Sequence, residues 1–254
     1  MYYFACGEEN TSRPPLILIH GAGGTHLHWS PETRRIPGER IYAIDLPGHG
    51  KSEGIGKQFI ADYAAAIIAF MDSLKMTRAI FGGHSMGGAI ALTLALDHPS
   101  RTLGLVLAGT GARLKVAPQI LDNAGNPATF PLAVQTINKW AYGSDTSPRM
   151  KELAIQRMSE IRPSVLQGDF LACHRFDVMD RAAAINVPTL IVCGTADLLT
   201  PIKYSEYLNR AIKNSTLISV ENAGHMVMIE KSAIVSQAIA DFLKTIDYQP
   251  GAAG

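Results

Sequence analysis

The sequence predicts an α/β fold: a mostly parallel central sheet with helices on both faces, plus a helical cap inserted between two of its strands. Three observations predict it. Short runs that are apolar almost without a break alternate with stretches whose apolar residues recur at helical spacing. The apolar runs lack the in–out alternation of a half-solvated strand, so both faces of the sheet must be covered. One segment of about 70 residues breaks the rhythm, which is too long for a structureless loop in a compact domain.

The elements follow in order. Only about 15 residues precede the first core strand. Residues 16–20, 41–45, 79–83, 103–107, 189–193 and, more weakly, 216–220 read as core strands. Ile60, Tyr63, Ala64, Ile67, Met71 and Leu74 mark one face of a helix. Residues 86–96 are apolar nearly all round, the pattern of a buried helix, and Pro99 stops it because proline cannot continue the hydrogen-bond ladder. Residues 112–185 hold Pro118, Pro127, Pro131, Pro148 and Pro163 and short helical stretches such as 150–161. They form the expected cap, and residues 1–111 and 186–254 form the core it interrupts. Val235, Ala238, Ile239, Phe242, Leu243 and Ile246 define a last helix, after which residues 250–254 read as a frayed tail.

Composition removes several classes of function. Lys plus Arg is 23 and Asp plus Glu is 22, a net charge of +1. Nucleic-acid binding needs clustered positive charge, so no such partner is expected. No run approaches the roughly 18 apolar residues that span a bilayer, and the first residues lack the basic and apolar regions of a secretory leader. Cys6, Cys173 and Cys193 are odd in number and widely spaced, which fits neither a disulfide framework nor a paired metal motif. A reducing cytoplasm is the expected location. Nothing in the sequence bears on oligomeric state.

The chemistry concentrates where strands end. Gly83-His-Ser-Met-Gly87 joins a strand to the buried helix. A sharp strand-to-helix turn strains its central residue and pushes the Ser85 hydroxyl out of the sheet, at a helix N-terminus that favours negative charge. A serine hydroxyl is a weak nucleophile; it needs a base, and the base needs an orienting acid. His225 follows the last strand and Asp197 follows the strand before it, so both belong to the carboxyl edge from which Ser85 emerges. His20-Gly-Ala-Gly-Gly24 follows the first core strand, and its Ala22 amide, with that of Met86, supplies two donors for a developing oxyanion.

These landmarks, with Asp45-Leu-Pro-Gly-His-Gly50 and Gly194-Thr-Ala-Asp197, make the sequence resemble the α/β-hydrolase superfamily over essentially its whole length. The resemblance implies a Ser85/Asp197/His225 triad, an oxyanion hole at Ala22 and Met86, and a cap inserted in the core. It also implies that His20 supports the oxyanion loop and that His84 packs in the elbow, with no metal or organic cofactor. A serine at the elbow disfavours the superfamily's dehalogenases and epoxide hydrolases, which carry an aspartate there.

Other readings compete. Gly21 and Gly23 open a dinucleotide fingerprint, but His26 replaces its third glycine. His20, His26, His28, His49 and His84 invite a metal reading, which requires converging ligands of fixed geometry. Trp29, Leu198, Met226 and the cap's Trp140 are expected to wall the substrate pocket. An apolar pocket favours small, uncharged carboxylic esters, hence a carboxylesterase. Lactonase, carbon–carbon bond hydrolase and perhydrolase chemistry use the same triad, and a slow small-molecule receptor of the same fold is the alternative of another class.

Overall fold

A computed structural model describes residues 1–7 and 13–248. Its seven strands are β1 (Tyr3–Cys6), β2 (Leu16–Ile19), β3 (Ile41–Ile44), β4 (Ala79–His84), β5 (Thr102–Ala108), β6 (Thr189–Gly194) and β7 (Ser215–Val220). They form one sheet in the order β1-β3-β2-β4-β5-β6-β7. Only β1 is antiparallel, laid along β3; the other pairs are parallel.

Alternate residues of each strand face opposite layers. Ile17, Ile19, Phe81, Leu105, Leu107 and Ile191 join one apolar cluster. It is covered by α2 (Ile60–Ser73) and α3 (Met86–Asp97), and α8 (Lys203–Ala211) adds Leu208. Leu16, Leu18, Ile80, Val106 and Val192 join the other cluster. There the cover is α10 (Ser232–Lys244), through Val235, Ile239 and Leu243, with the single-turn helices α1 (Pro31–Arg34) and α9 (Val227–Glu230) beside it. This double coverage explains why the central strands read as unbroken apolar runs. The signal at 216–220 is weaker because β7 is an edge strand whose side chains are mostly half-exposed.

The ten residues from Met86 to Ala95 are all buried, which accounts for the all-round apolarity of α3. Four helices lie between β5 and β6: α4 (Pro118–Ala124), α5 (Phe130–Ala141), α6 (Pro148–Ser159) and α7 (Pro163–Arg175). Each has proline in its first turn, where no helical N–H is lost. Ile120, Phe130, Val134, Ile137 and Leu166 give them a small core of their own. The segment leaves and rejoins the sheet side by side, since Val178 N–H donates to Ala112 O at 2.8 Å. The tail expected to fray at 250–254 lies outside the described residues.

Leu92 is fully buried within α3, whereas Ile155 on α6 is more than one-third exposed. Leu92→Ala should therefore cost about 2–5 kcal/mol, and Ile155→Ala no more than about 0.5 kcal/mol. Urea midpoints compared at constant m-value check both.

Candidate active site

Ser85 occupies the junction of β4 and α3 with φ 53° and ψ −115°, a conformation that L-residues avoid. Neighbouring backbone holds it there. Ser85 N–H donates to Ala108 O at 2.9 Å, and Thr110 Oγ1 donates to Ser85 O at 2.8 Å. The glycines on either side are steric necessities: a Cβ on Gly83 would run into Gly87 O, and one on Gly87 into Ile19 O. The turn is thus as tight as its sequence implies, and it lifts the hydroxyl to the carboxyl edge of the sheet.

His225 and Asp197 meet at the same edge. His225 Nδ1 lies 2.9 Å from Asp197 Oδ2, both residues being buried. The carboxylate also accepts Leu199 N–H and Thr200 N–H at 2.8 Å each, and Thr200 Oγ1 at 2.7 Å. Burial pushes the Asp197 carboxyl upward, but the adjoining His225 and the hydrogen bonds from His225 and Thr200 outweigh it, so its pKa falls below the ordinary value. An ionised Asp197 keeps the proton of His225 on Nδ1 and leaves Nε2 as the proton acceptor. The His84 ring packs 4.6 Å from that of His225 and its Nε2–H donates to His225 O at 3.0 Å, so it supports His225 from below.

The glycine-rich turn after β2 is held from beneath by His20. Leu46 N–H donates to His20 Nε2 at 3.0 Å, which places the ring proton on Nδ1, and that proton goes to Gly21 O at 2.8 Å. Asp45 organises the adjoining turn. Its carboxylate accepts His26 N–H at 2.7 Å and Lys51 N–H at 2.9 Å and pairs with His26 Nδ1 at 2.8 Å. The amides of Ala22 and Met86 donate to no protein group among the described residues. Among those residues no three His, Cys, Asp or Glu side chains converge as metal ligands would.

Ser85, His225 and Ala22 open onto one cavity of about 820 Å³, bounded by the sheet edge and the inserted helices. Leu198, Met226 and Trp140 line it. Trp29 does not: it is fully buried in the α10-side layer, among Leu16, Ile80 and Val235. Its position after the turn suggested the wall, but the chain folds it inward behind the short helical turn at His26–His28. The lining is also less apolar than expected, with Lys51, Lys115, Arg157, Glu160 and Arg162 contributing.

Three residues at the site escaped the sequence reading. Thr200 carried a faint signal, three residues after the acid in a turn. Glu230 accepts Gly224 N–H beside His225 and Gly143 N–H from the inserted segment. Asp169 is a fully buried carboxylate on α7 that accepts Gly23 N–H at 2.8 Å. An aspartate inside a helix, away from its first turn, was the available clue to Asp169.

Comparison with known proteins bears on the fold and the family. The family model for the alpha/beta hydrolase fold matches residues 14–232. The chain is 26% identical over 250 residues to 3-oxoadipate enol-lactonase 1 of Acinetobacter baylyi, covering 94% of this chain and 91% of that protein. It is 29% identical over 262 residues to a pimeloyl-[acyl-carrier protein] methyl ester esterase of Neisseria meningitidis, covering 94% and 98%. The crystal structure of the enol-lactonase from Burkholderia xenovorans superposes with a TM-score of 0.89 at 25% identity, covering 96% of each chain.

The buried His84 under His225 makes stability depend on pH. Burial first, and then the neighbouring His225, push His84 well below the ordinary 6.5. Unfolded, the same imidazole takes up a proton below 6.5, so its folded-state contribution is complete above that pH and is lost as pH falls toward the folded pKa. The stability difference between wild type and His84→Gln should therefore be largest above about pH 7 and shrink by about pH 5.5, as read from urea unfolding at both.

Proposed function

We propose that this chain, which belongs to the alpha/beta hydrolase family, is a hydrolase that cleaves small carboxylic esters through an acyl-enzyme on Ser85. One observation carries the reading: a serine held at φ 53° on a helix N-terminus opens onto the same cavity as a histidine already paired with a buried aspartate.

In this reading Ser85 Oγ attacks the acyl carbonyl carbon as its proton passes to His225 Nε2. Asp197 and Thr200 hold the ring in the tautomer that accepts it, and Asp197 stabilises the imidazolium. The carbonyl oxygen becomes an oxyanion between the Ala22 and Met86 amides, where each donor of this kind is worth about 10²–10³ in turnover. The intermediate collapses, and His225 gives its proton to the departing alkoxide. Water then repeats the sequence on the acyl-enzyme, and the acid leaves with Ser85 restored. None of these steps calls on a metal or an organic cofactor.

The similarity to two enol-lactonases favours lactones as a second substrate class. Ring opening follows the same steps, except that the leaving alcohol stays tethered to the acyl group. The partner in either case is a small molecule. The free thiols Cys6, Cys173 and Cys193 support a reducing cytoplasm as its setting, and no helix among the described residues is long and apolar enough to cross a membrane.

Ser85→Ala should abolish covalent labelling by a fluorophosphonate and lower ester turnover by at least about 10³-fold. Labelling of the variant at full stoichiometry would refute the assignment. Wild type should turn over p-nitrophenyl acetate through octanoate many times, whereas one stalled burst would identify a receptor. A lactone panel run alongside ranks the two substrate classes.

A further inference from the structure

The amide that would face the oxyanion belongs to a peptide plane that is itself held, and the plane after it is held too. Gly21 C=O and Ala22 N–H share one plane, and in a trans peptide they point in opposite directions. Gly21 O is held by His20 Nδ1–H at 2.8 Å and by Gly24 N–H at 3.0 Å, which aims Ala22 N–H the other way. The next plane contains Ala22 C=O and Gly23 N–H, and Gly23 N–H is held by Asp169 Oδ2. If that plane flipped, Ala22 would present a carbonyl oxygen where the turn otherwise leaves room for a negative one.

Asp169 comes from the inserted helix α7, 146 residues away in the chain. It has no exposure, and Gly23 N–H, His49 and Tyr63 meet its oxygens. His49 Nε2 lies 2.8 Å from its Oδ2, and Tyr63 OH donates to its Oδ1 at 2.5 Å. Lys57 N–H donates in turn to Tyr63 OH at 2.8 Å, and His49 Nδ1 lies 3.1 Å from Pro47 O. With a carbonyl beside one nitrogen and a carboxyl oxygen beside the other, both ring nitrogens of His49 face acceptors. Burial opposes a charge on the ring, but Asp169 more than compensates, so the pKa of His49 lies above its ordinary value. Gly23 has φ 63°, and a Cβ there would strike Leu166 and Ile161, so the turn is pressed directly against the inserted helices.

We propose that Asp169 is a positioning residue for the oxyanion hole, through which seating of the inserted helices on the sheet edge keeps the Ala22 carbonyl turned away from the oxyanion. The proposal rests on the esterase reading and deepens it. Asp169 touches no reacting atom. It acts through Gly23, and the buried His49 and Tyr63 keep it oriented. A chain with its helical segment displaced would retain Ser85, His225, Asp197 and the Ala22 N–H, but the Ala22 carbonyl would be free to turn into the place of the oxyanion.

Phenylboronic acid separates this from a general structural role. Ser85 Oγ adds to the trigonal boron, its proton passes to His225, and the product is a tetrahedral anion with an oxygen in the oxyanion hole. Asp169→Ala should lower kcat on p-nitrophenyl acetate by about 10–100-fold and weaken phenylboronic acid binding by a similar factor, with KM within about threefold of wild type. Asp169→Asn, isosteric but uncharged, should fall between the two. Val134→Ala loosens the inserted helices' own core away from the cavity and should lower the unfolding midpoint without changing boronate affinity.

A folded Asp169→Asn variant with kcat and boronate affinity within twofold of wild type would overturn the proposal, even if Asp169→Ala fails to fold. Equal loss of boronate affinity in Val134→Ala would overturn it too. If wild type itself neither binds the boronate nor takes the fluorophosphonate, it is the esterase reading that has failed.

Discussion

Everything at this site depends on how closely the end of β4 and the start of α3 approach the backbone around them. Ser85 adopts a left-handed φ because β4 must turn into α3 within one residue, and there is no room for side-chain carbon at Gly83 or Gly87. Strain of this kind costs about 1–3 kcal/mol and persists only where surrounding structure overdetermines it. Here the determinants are two strands and a threonine: Ala108 accepts the Ser85 N–H, Thr110 donates to its carbonyl, and the end of β2 packs against Gly87. The buried apolar helix behind the turn is what makes the strain sustainable. Loosening α3 would let the turn relax, and the hydroxyl would drop back toward the sheet.

Around that fixed point the loops are placed by buried and half-buried carboxylates. Asp45 ties the β3 loop to the turn after β2, Asp197 ties the end of β6 to His225, and Asp169 and Glu230 tie the inserted helices to the turn and to the His225 loop. A buried carboxylate without donors is costly, so each of these positions strongly specifies its neighbours. Taking one partner away leaves the other uncompensated, which is more damaging than the net worth of the pair suggests. Such links therefore favour one arrangement of loops over others more than they add to total stability.

The same physics decides what a sequence can reveal. The strands were legible because double burial demands apolar residues at every position, and α3 was legible because it is buried all round. Ser85, Asp197 and His225 could be placed because each follows a recognisable strand, and parallel strands deliver their carboxyl ends to one edge. Asp169 and Thr200 could not be placed this way. Each is a single polar residue whose significance lies in partners far off in the chain or in the exact closure of a turn, and no periodicity records that. Trp29 shows the converse error. It lies one residue beyond a three-residue helical turn whose direction the sequence does not specify, so adjacency to the site suggested a wall residue where the chain had turned into the core.

The charges in the cavity bear on substrate choice in a way that their number conceals. Lys51 lies over the Tyr2 ring at 4.7 Å, Lys115 donates to His174 O at 3.1 Å, and Arg162 donates to Gly48 O and Gly54 O at 3.0 Å each. Arg157 pairs with Glu160 at 3.7 Å. Each group is thus already engaged, and a substrate carboxylate would have to share it with an existing partner. The apolar side chains offer no such competition: Ile137, Met158, Phe170 and Leu199 line the cavity as surface that water gains by leaving. A neutral acyl chain can occupy that surface without displacing anything but solvent, whereas an anionic one must compete with carbonyl groups and rings for its cation. The balance favours uncharged esters and lactones, and it does so through the partners of the charged residues and not through their absence.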